Sequence, residues 1–337
     1  MKIKVIYILA ITFYFGCDKK NYTDYTPTGP SACNITDVTG ICCSEDDLDC
    51  NNICFGNSAI NCNNICESVV YISSCNGCND SKATNYNENS TDNYNCIYDN
   101  LPENFNLIWN DEFNSPQIDL SKWNFETGGG GWGNAESQFY TDSSDNAYTE
   151  NGNLVIKAIN ENFSGSNYTS ARMTTKNKGD FTYGKIEIKA KLPTGHGTWP
   201  AIWMMPTNSV YGGWPNSGEI DIMEHVGCTA GMIYGTIHCN QFNHANGTSE
   251  SGNDNINISE FHIYSIEWNS NSIKWYVDNQ EFHTYNKTGD DFTTWPFDQD
   301  FFLILNMAVG GNWGGICEFD SNIYPQKFEI DYVRIYE

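Results

Sequence analysis

Gly218-Glu219-Ile220-Asp221-Ile222-Met223-Glu224-His225 sets three acids on a short run of β-branched and apolar residues. Read as a strand, the run alternates faces, so Glu219 and Asp221 share one side while Ile220 and Ile222 take the other. The next residue on the acidic side is then Met223. Glu224 rejoins that side only if one extra residue is absorbed, which is what a β-bulge does. A bulged strand therefore presents three carboxyls in a row. Crowded carboxylates repel, and the repulsion raises at least one pKa. A protonated acid beside a carboxylate is the pair that glycoside hydrolysis requires, one to protonate the leaving oxygen and one to attack the sugar carbon.

The flanking sequence is aromatic. Trp199-Pro200-Ala201-Ile202-Trp203 and Gly212-Gly213-Trp214-Pro215 lie upstream, Gly235-Thr236-Ile237-His238 lies downstream, and all ten tryptophans follow residue 100. Sugar rings present flat C–H faces that stack on aromatic rings, so indoles beside carboxyls point to a carbohydrate cleft. His238 falls on the strand expected next to the acidic one, where it would face the cleft and contact the substrate or the acids.

With these residues the chain resembles glycoside hydrolase family 16, in the form with an additional residue before the last Glu. The likeness runs from about residue 105 to residue 337 and includes Trp109-Asn110-Asp111-Glu112-Phe113, Thr169-Ser170-Ala171-Arg172 and Asp331-Tyr332-Val333-Arg334. Two further blocks, Gly131-Trp132-Gly133-Asn134-Ala135-Glu136 and Gly310-Gly311-Asn312-Trp313, look most like those of laminarinases, the endo-acting β-1,3-glucanases.

The resemblance implies an all-β jelly-roll sandwich with a concave substrate cleft. Glu219 would be the nucleophile, Glu224 the general acid/base, and Asp221 the assisting acid between them. Trp199, Trp203 and Trp214 would be sugar platforms, and Asn134, Glu136 and Arg172 polar residues of the cleft. Catalysis would need no cofactor, while Glu112, the backbone of Gly152 and Asp331 would hold a structural calcium. The implied substrate is neutral β-1,3-glucan. Alternatives are mixed-linkage glucan or a galactan on the same fold, or a non-catalytic glucan-binding protein, which the three retained acids argue against.

Strand patterning agrees with that fold class. Lys185 to Leu192 alternates polar and apolar without a break, as a strand with one wet face should, and Asp278-Asn279-Gln280 separates two strand-like runs as a hairpin turn. Residues 101 to 337 carry 30 acids against 12 bases, a net of −18 by subtraction, out of −25 for the whole chain. Such a surface repels polyanions, which disfavours nucleic acid and sulfated galactans as partners.

The start of the chain reads differently. Met1-Lys2-Ile3-Lys4, an apolar run to Gly16 and then Cys17 form a lipoprotein-type signal, so residues 1–16 would be removed and Cys17 lipidated, anchoring an exported, monomeric protein to a membrane of the cell envelope. Residues 17–32 would be a linker and 33–100 a small disulfide-rich module before the catalytic part at 101–337. Ten cysteines crowd between Cys33 and Cys96, and outside the reducing cytosol they imply disulfides. The catalytic part holds three more, Cys228, Cys239 and Cys317. If Thr229-Ala230-Gly231 turns a hairpin, Cys228 and Cys239 end too far apart to bond, and the odd count leaves at least one thiol free.

Overall fold

The computed structural model describes residues 35–36, 42–43, 58–60, 66–68, 78, 83–87, 105–319 and 321–337. The signal at 1–16, Cys17 and the linker to residue 32 lie outside the described residues, as does most of 33–100. The chain divides into two compact units, Met1–Cys75 and Asn76–Glu337. In the first, Ile35–Thr36 pairs antiparallel with Cys42–Cys43, and Ser58–Ile60 with Cys66–Ser68. In the second, Cys78 and Ala83 are buried, and Leu107 packs against them.

Two sheets, of ten and eight strands, make up the rest of the second unit. The eight-stranded sheet runs Glu250–Asn255, Met232–His238, Glu219–His225, Thr198–Pro206, Phe301–Val309, Arg172–Thr174, Asn124–Phe125, with Asp180–Phe181 also on Phe301–Val309. The ten-stranded sheet is centred on Gly184–Lys191 and Gln326–Tyr336, antiparallel to each other. Facing side chains such as Ile188, Ile266 and Val333 from one sheet and Ile202, Ile220 and Leu305 from the other form a single core. Each such side chain contributes about 1.5–3 kcal/mol on burial. The only α-helical segment among the described residues is the turn Gly311–Gly314.

Two local expectations meet different outcomes. Asp278 and Asn279 turn the hairpin with φ of 48° and 64°, the left-handed pair that a two-residue connection prefers, and Gln280 already belongs to the following strand. Gly184–Lys191, by contrast, has no fully wet face: Lys185 is 7 % and Glu187 5 % exposed. The strand is central, so long neighbours close over its outer side, and Lys185 sits 3.7 Å from both Glu187 and Glu267.

The edge strand Glu250–Asn255, sequence ESGNDN, contains no apolar residue. At the sheet's centre Phe301–Val309 is buried along its whole length, and Asn306 is its one polar residue.

Candidate active site

The acidic strand Glu219–His225 lies between Thr198–Pro206 and Met232–His238. Its register slips on both sides at the same place. Trp203 faces Asp221 while Ile202 faces Met223, and Thr236 faces Asp221 while Tyr234 faces Glu224. The bulge therefore spans Ile222 and Met223, both buried in the core. It brings Glu224 back to the side of Glu219 and Asp221, and all three line one cavity of about 450 Å³.

Each acid has a distinct set of partners. Glu219 is 16 % exposed; its Oε2 accepts from Trp214 Nε1 at 2.6 Å, and its Oε1 lies 3.9 Å from His238 Nε2. Asp221, only 2 % exposed, brings Oδ2 to 3.2 Å from the same His238 nitrogen. Glu224 Oε1 accepts from Trp199 Nε1 at 3.0 Å. His238 reaches both acids because it stands directly across from Glu219 on the next strand.

Burial dominates the electrostatics. Burial and then the Asp221 charge push Glu219 up to about 8, with His238 and Trp214 opposing the rise. Burial pushes Asp221 up to about 7, and a hydrogen bond shared with Glu219 pulls the other way. Glu224 is held well above the usual carboxylate range by burial, then by Asp221 and Glu219. The cluster holds protons more tightly than free carboxyls do, which suits the member that must act as an acid, while the Trp214 and His238 groups beside Glu219 favour its charged, nucleophilic form.

One wall is a hydrogen-bonded chain. Trp203 Nε1 donates to Asn306 Oδ1 at 2.6 Å, Asn306 Nδ2 donates to Tyr140 Oη at 3.0 Å, and Tyr140 Oη donates to Glu136 Oε2 at 3.1 Å. Gln138 Nε2 also donates to Glu136, at 2.6 Å. Arg172 is sandwiched by rings, 4.6 Å from the Trp203 centroid and 4.9 Å from that of Trp132, and its Nε binds Glu126. A cation thus fixes two indoles, a contact that desolvation strengthens. Asn134 lines the same cavity, and its carbonyl accepts from the Asn312 backbone at 2.7 Å.

A second group of lining rings is Trp199, Tyr234 and Trp313, with the Trp313 centroid 5.5 Å from that of Trp199 and 5.1 Å from that of Tyr234. A disulfide between Cys228 and Cys317 ties the Trp313 segment to the turn that follows the acidic strand. This pairing leaves Cys239 as the free thiol, and it is fully buried.

The structure thus gathers Asn134, Glu136, Arg172, Trp199, Trp203, Glu219, Asp221, Glu224 and His238 around one cavity. Trp214 touches it through Glu219 and packs 5.0 Å from His244. Trp132 and Trp313 entered the sequence reading only as parts of laminarinase-like blocks, and neither they nor Tyr140, Tyr234, His244 or Asn306 were given a place in the cleft. A usable signal existed for Asn306, a lone amide inside an apolar strand, because a buried polar group needs a partner.

The residues expected to hold calcium lie on or just beside strands of the other sheet. Val333 faces Asp111 and Ile330 faces Leu154, so Glu112 and Gly152 both approach the Asp331–Tyr332 step. The Glu112 carboxylate is engaged by Arg334, at 2.8 and 3.0 Å, and Asp331 Oδ2 lies 2.9 Å from Lys189. Among the described residues, the one group of three acid or histidine side chains close enough to share a metal is Glu219, Asp221 and His238.

The chain is similar to known proteins in sequence and in fold. A sequence profile of glycosyl hydrolases family 16 matches residues 134–334. A β-glucanase of Rhodothermus marinus is 45 % identical over 241 residues, covering 68 % of this chain and 84 % of that protein. A glucan endo-1,3-β-glucosidase of Cryptopygus antarcticus is 42 % identical over 68 % of this chain and 90 % of its own length. The X-ray structure of the laminarinase from Rhodothermus marinus superposes with a TM-score of 0.68 at 43 % identity, covering 69 % of this chain and 97 % of that one.

Proposed function

Because the chain belongs to glycosyl hydrolases family 16, we propose that it cleaves internal β-1,3 bonds of a neutral, laminarin-type glucan by double displacement. The observation that carries this reading is the bulged strand, which sets Glu219, Asp221 and Glu224 in one aromatic-walled cavity. Glu219 attacks the anomeric carbon as the glycosidic bond breaks, and Glu224 passes its proton to the departing oxygen. Glu224 then takes a proton from water, whose oxygen displaces Glu219 and completes hydrolysis with retention. Asp221, sharing a hydrogen bond with Glu219, accommodates the change of charge as Glu219 is alkylated and released. Hydrolases of this family need no cofactor for this chemistry.

Digestion of laminarin, lichenan, agarose and carrageenan side by side, with product sizing and NMR of the first-formed anomer, tests the reading. Internal cleavage of laminarin with β-anomer formed first supports it; preference for a galactan, or α-anomer first, overturns it.

Calcium is part of the proposal as a structural ion. Both Glu112 carboxylate oxygens lie on Arg334, so Glu112 would offer its carbonyl, alongside that of Gly152 and the Asp331 carboxylate, a mixed oxygen set that calcium accepts. Calorimetric titration of chelator-treated protein with calcium reads this directly, and Asp331→Asn should abolish the heat. Export and lipidation at Cys17 complete the proposal. They place the enzyme on the cell envelope, where polymeric glucan is met.

A further inference from the structure

Two glycines stand side by side on the eight-stranded sheet, Gly235 facing Gly252 in the register. Across the core two rings stand side by side on the other sheet, Trp275 facing His283, their centroids 4.9 Å apart. The rings fill the space the glycines leave. A Cβ on residue 235 would lie 2.4 Å from Trp275 Cδ1, and one on residue 252 would lie 2.4 Å from His283 Cβ. Close approach of a ring to the backbone is the reason for glycine in these strands.

That approach puts the Trp275 indole under the bulge. Trp275 alternates inward with Ile273 and Val277, is fully buried, and its Nε1 donates to the Asp221 carbonyl at 2.8 Å. Asp221 is the last residue in register before the bulge, and residues 222 and 223 pass the single residue Gly235. A bulge disrupts the ladder, and a buried peptide group so displaced needs a partner.

We propose that Trp275 is a positioning residue for the reaction. Its indole N–H holds the Asp221 carbonyl and so fixes the backbone bend that returns Glu224 to the side of Glu219 and Asp221. The inference rests on the roles given to those acids.

The test compares buried indoles that differ in what they bind. Trp268 lies in the same sheet, is also buried, and donates to the Phe297 carbonyl at 3.0 Å instead of to the backbone of the acidic strand. Trp275→Phe, replacement of Trp275 by the isostere benzothienylalanine, and Trp268→Phe are assayed on laminarin with melting temperatures. Both changes at 275 should lower kcat at least about tenfold with KM within about twofold, since misplaced groups slow chemistry more than binding. Trp268→Phe should lose comparable stability and keep kcat within about twofold. A benzothienylalanine protein with undiminished kcat overturns the inference, and it decides the matter even if Trp275→Phe fails to fold. Glu219→Gln and Glu224→Gln in the same assay separate the two levels: if they turn over normally, the catalytic reading itself fails.

Discussion

Trp214 Nε1 lies 2.6 Å from Glu219 Oε2, although the indole is 39 % exposed and sits outside the strands. A neutral donor aimed at a carboxylate favours its ionised form. Trp214→Phe keeps an aromatic surface and removes that donor, so the Glu219 pKa should rise further. The acid limb of the pH–kcat/KM profile should then move to higher pH, with the largest activity loss on the acid side. An unmoved limb would separate Trp214 from Glu219 ionisation.

Glu219→Ala and Glu224→Ala should each lower turnover of laminarin by at least about 10²–10⁴-fold. Azide distinguishes the roles. Added to the Glu224 variant it replaces water in the second step and yields a β-glycosyl azide. With the Glu219 variant it attacks in place of the missing carboxylate and yields the α-azide. The opposite pairing, read by NMR of the products, would exchange the assignments.

Raised carboxyl pKa values also cost stability. Glu219 titrates near ~4.3 when unfolded and up to about 8 when folded, so below the first value it is protonated in both states. Between the two values the native state holds the proton more tightly, and stability falls as pH rises through that window. Glu219→Gln removes the penalty. Its melting temperature should match that of the unmutated protein near pH 4 and exceed it near pH 8, by about 2–4 °C per kcal/mol relieved. Equal melting temperatures across the range would mean that the cluster is not strained by charge.

The Cys228–Cys317 link closes a loop 89 residues apart in sequence. Paired serine replacement should cost about 2–4 kcal/mol. It should also loosen the Trp313 wall and raise KM for long glucans more than for short ones. Calorimetry and chain-length-resolved kinetics check both parts, and an unchanged KM ratio would leave the link with a purely stabilising role.

The first part of the chain is proposed to anchor and space rather than catalyse. A protein beginning near Leu101 should cleave soluble laminarin at close to the full-length rate, and Cys17→Ser should leave the membrane fraction. A folded but inactive truncation would show that the preceding residues complete the site.

Much of the acidic strand was legible because a bulge is written in the spacing of Glu219, Asp221 and Glu224: strict alternation would have buried one of them. The walls were less legible. Tyr140 and Asn306 meet through strands 166 residues apart, and Arg172 stacks on Trp132 and Trp203 from a third strand. No local pattern states which strands will be neighbours. The same holds for Cys317, whose distance from Cys228 depends on where the Gly311–Gly314 turn comes to rest. Lys185 and Glu187 mislead in the other direction, since alternation marks a face as polar without saying that neighbours leave it wet.

The all-polar edge Glu250–Asn255 bears on how many copies of this protein can share a surface. An open sheet edge is a template on which another chain's strand can add. Here the edge offers carboxylates at Glu250 and Asp254 and no apolar side chain to dock a second strand. Molecules crowded together on a membrane or along one polysaccharide would meet as like charges at this edge, and their sheets would stay separate instead of merging into fibres.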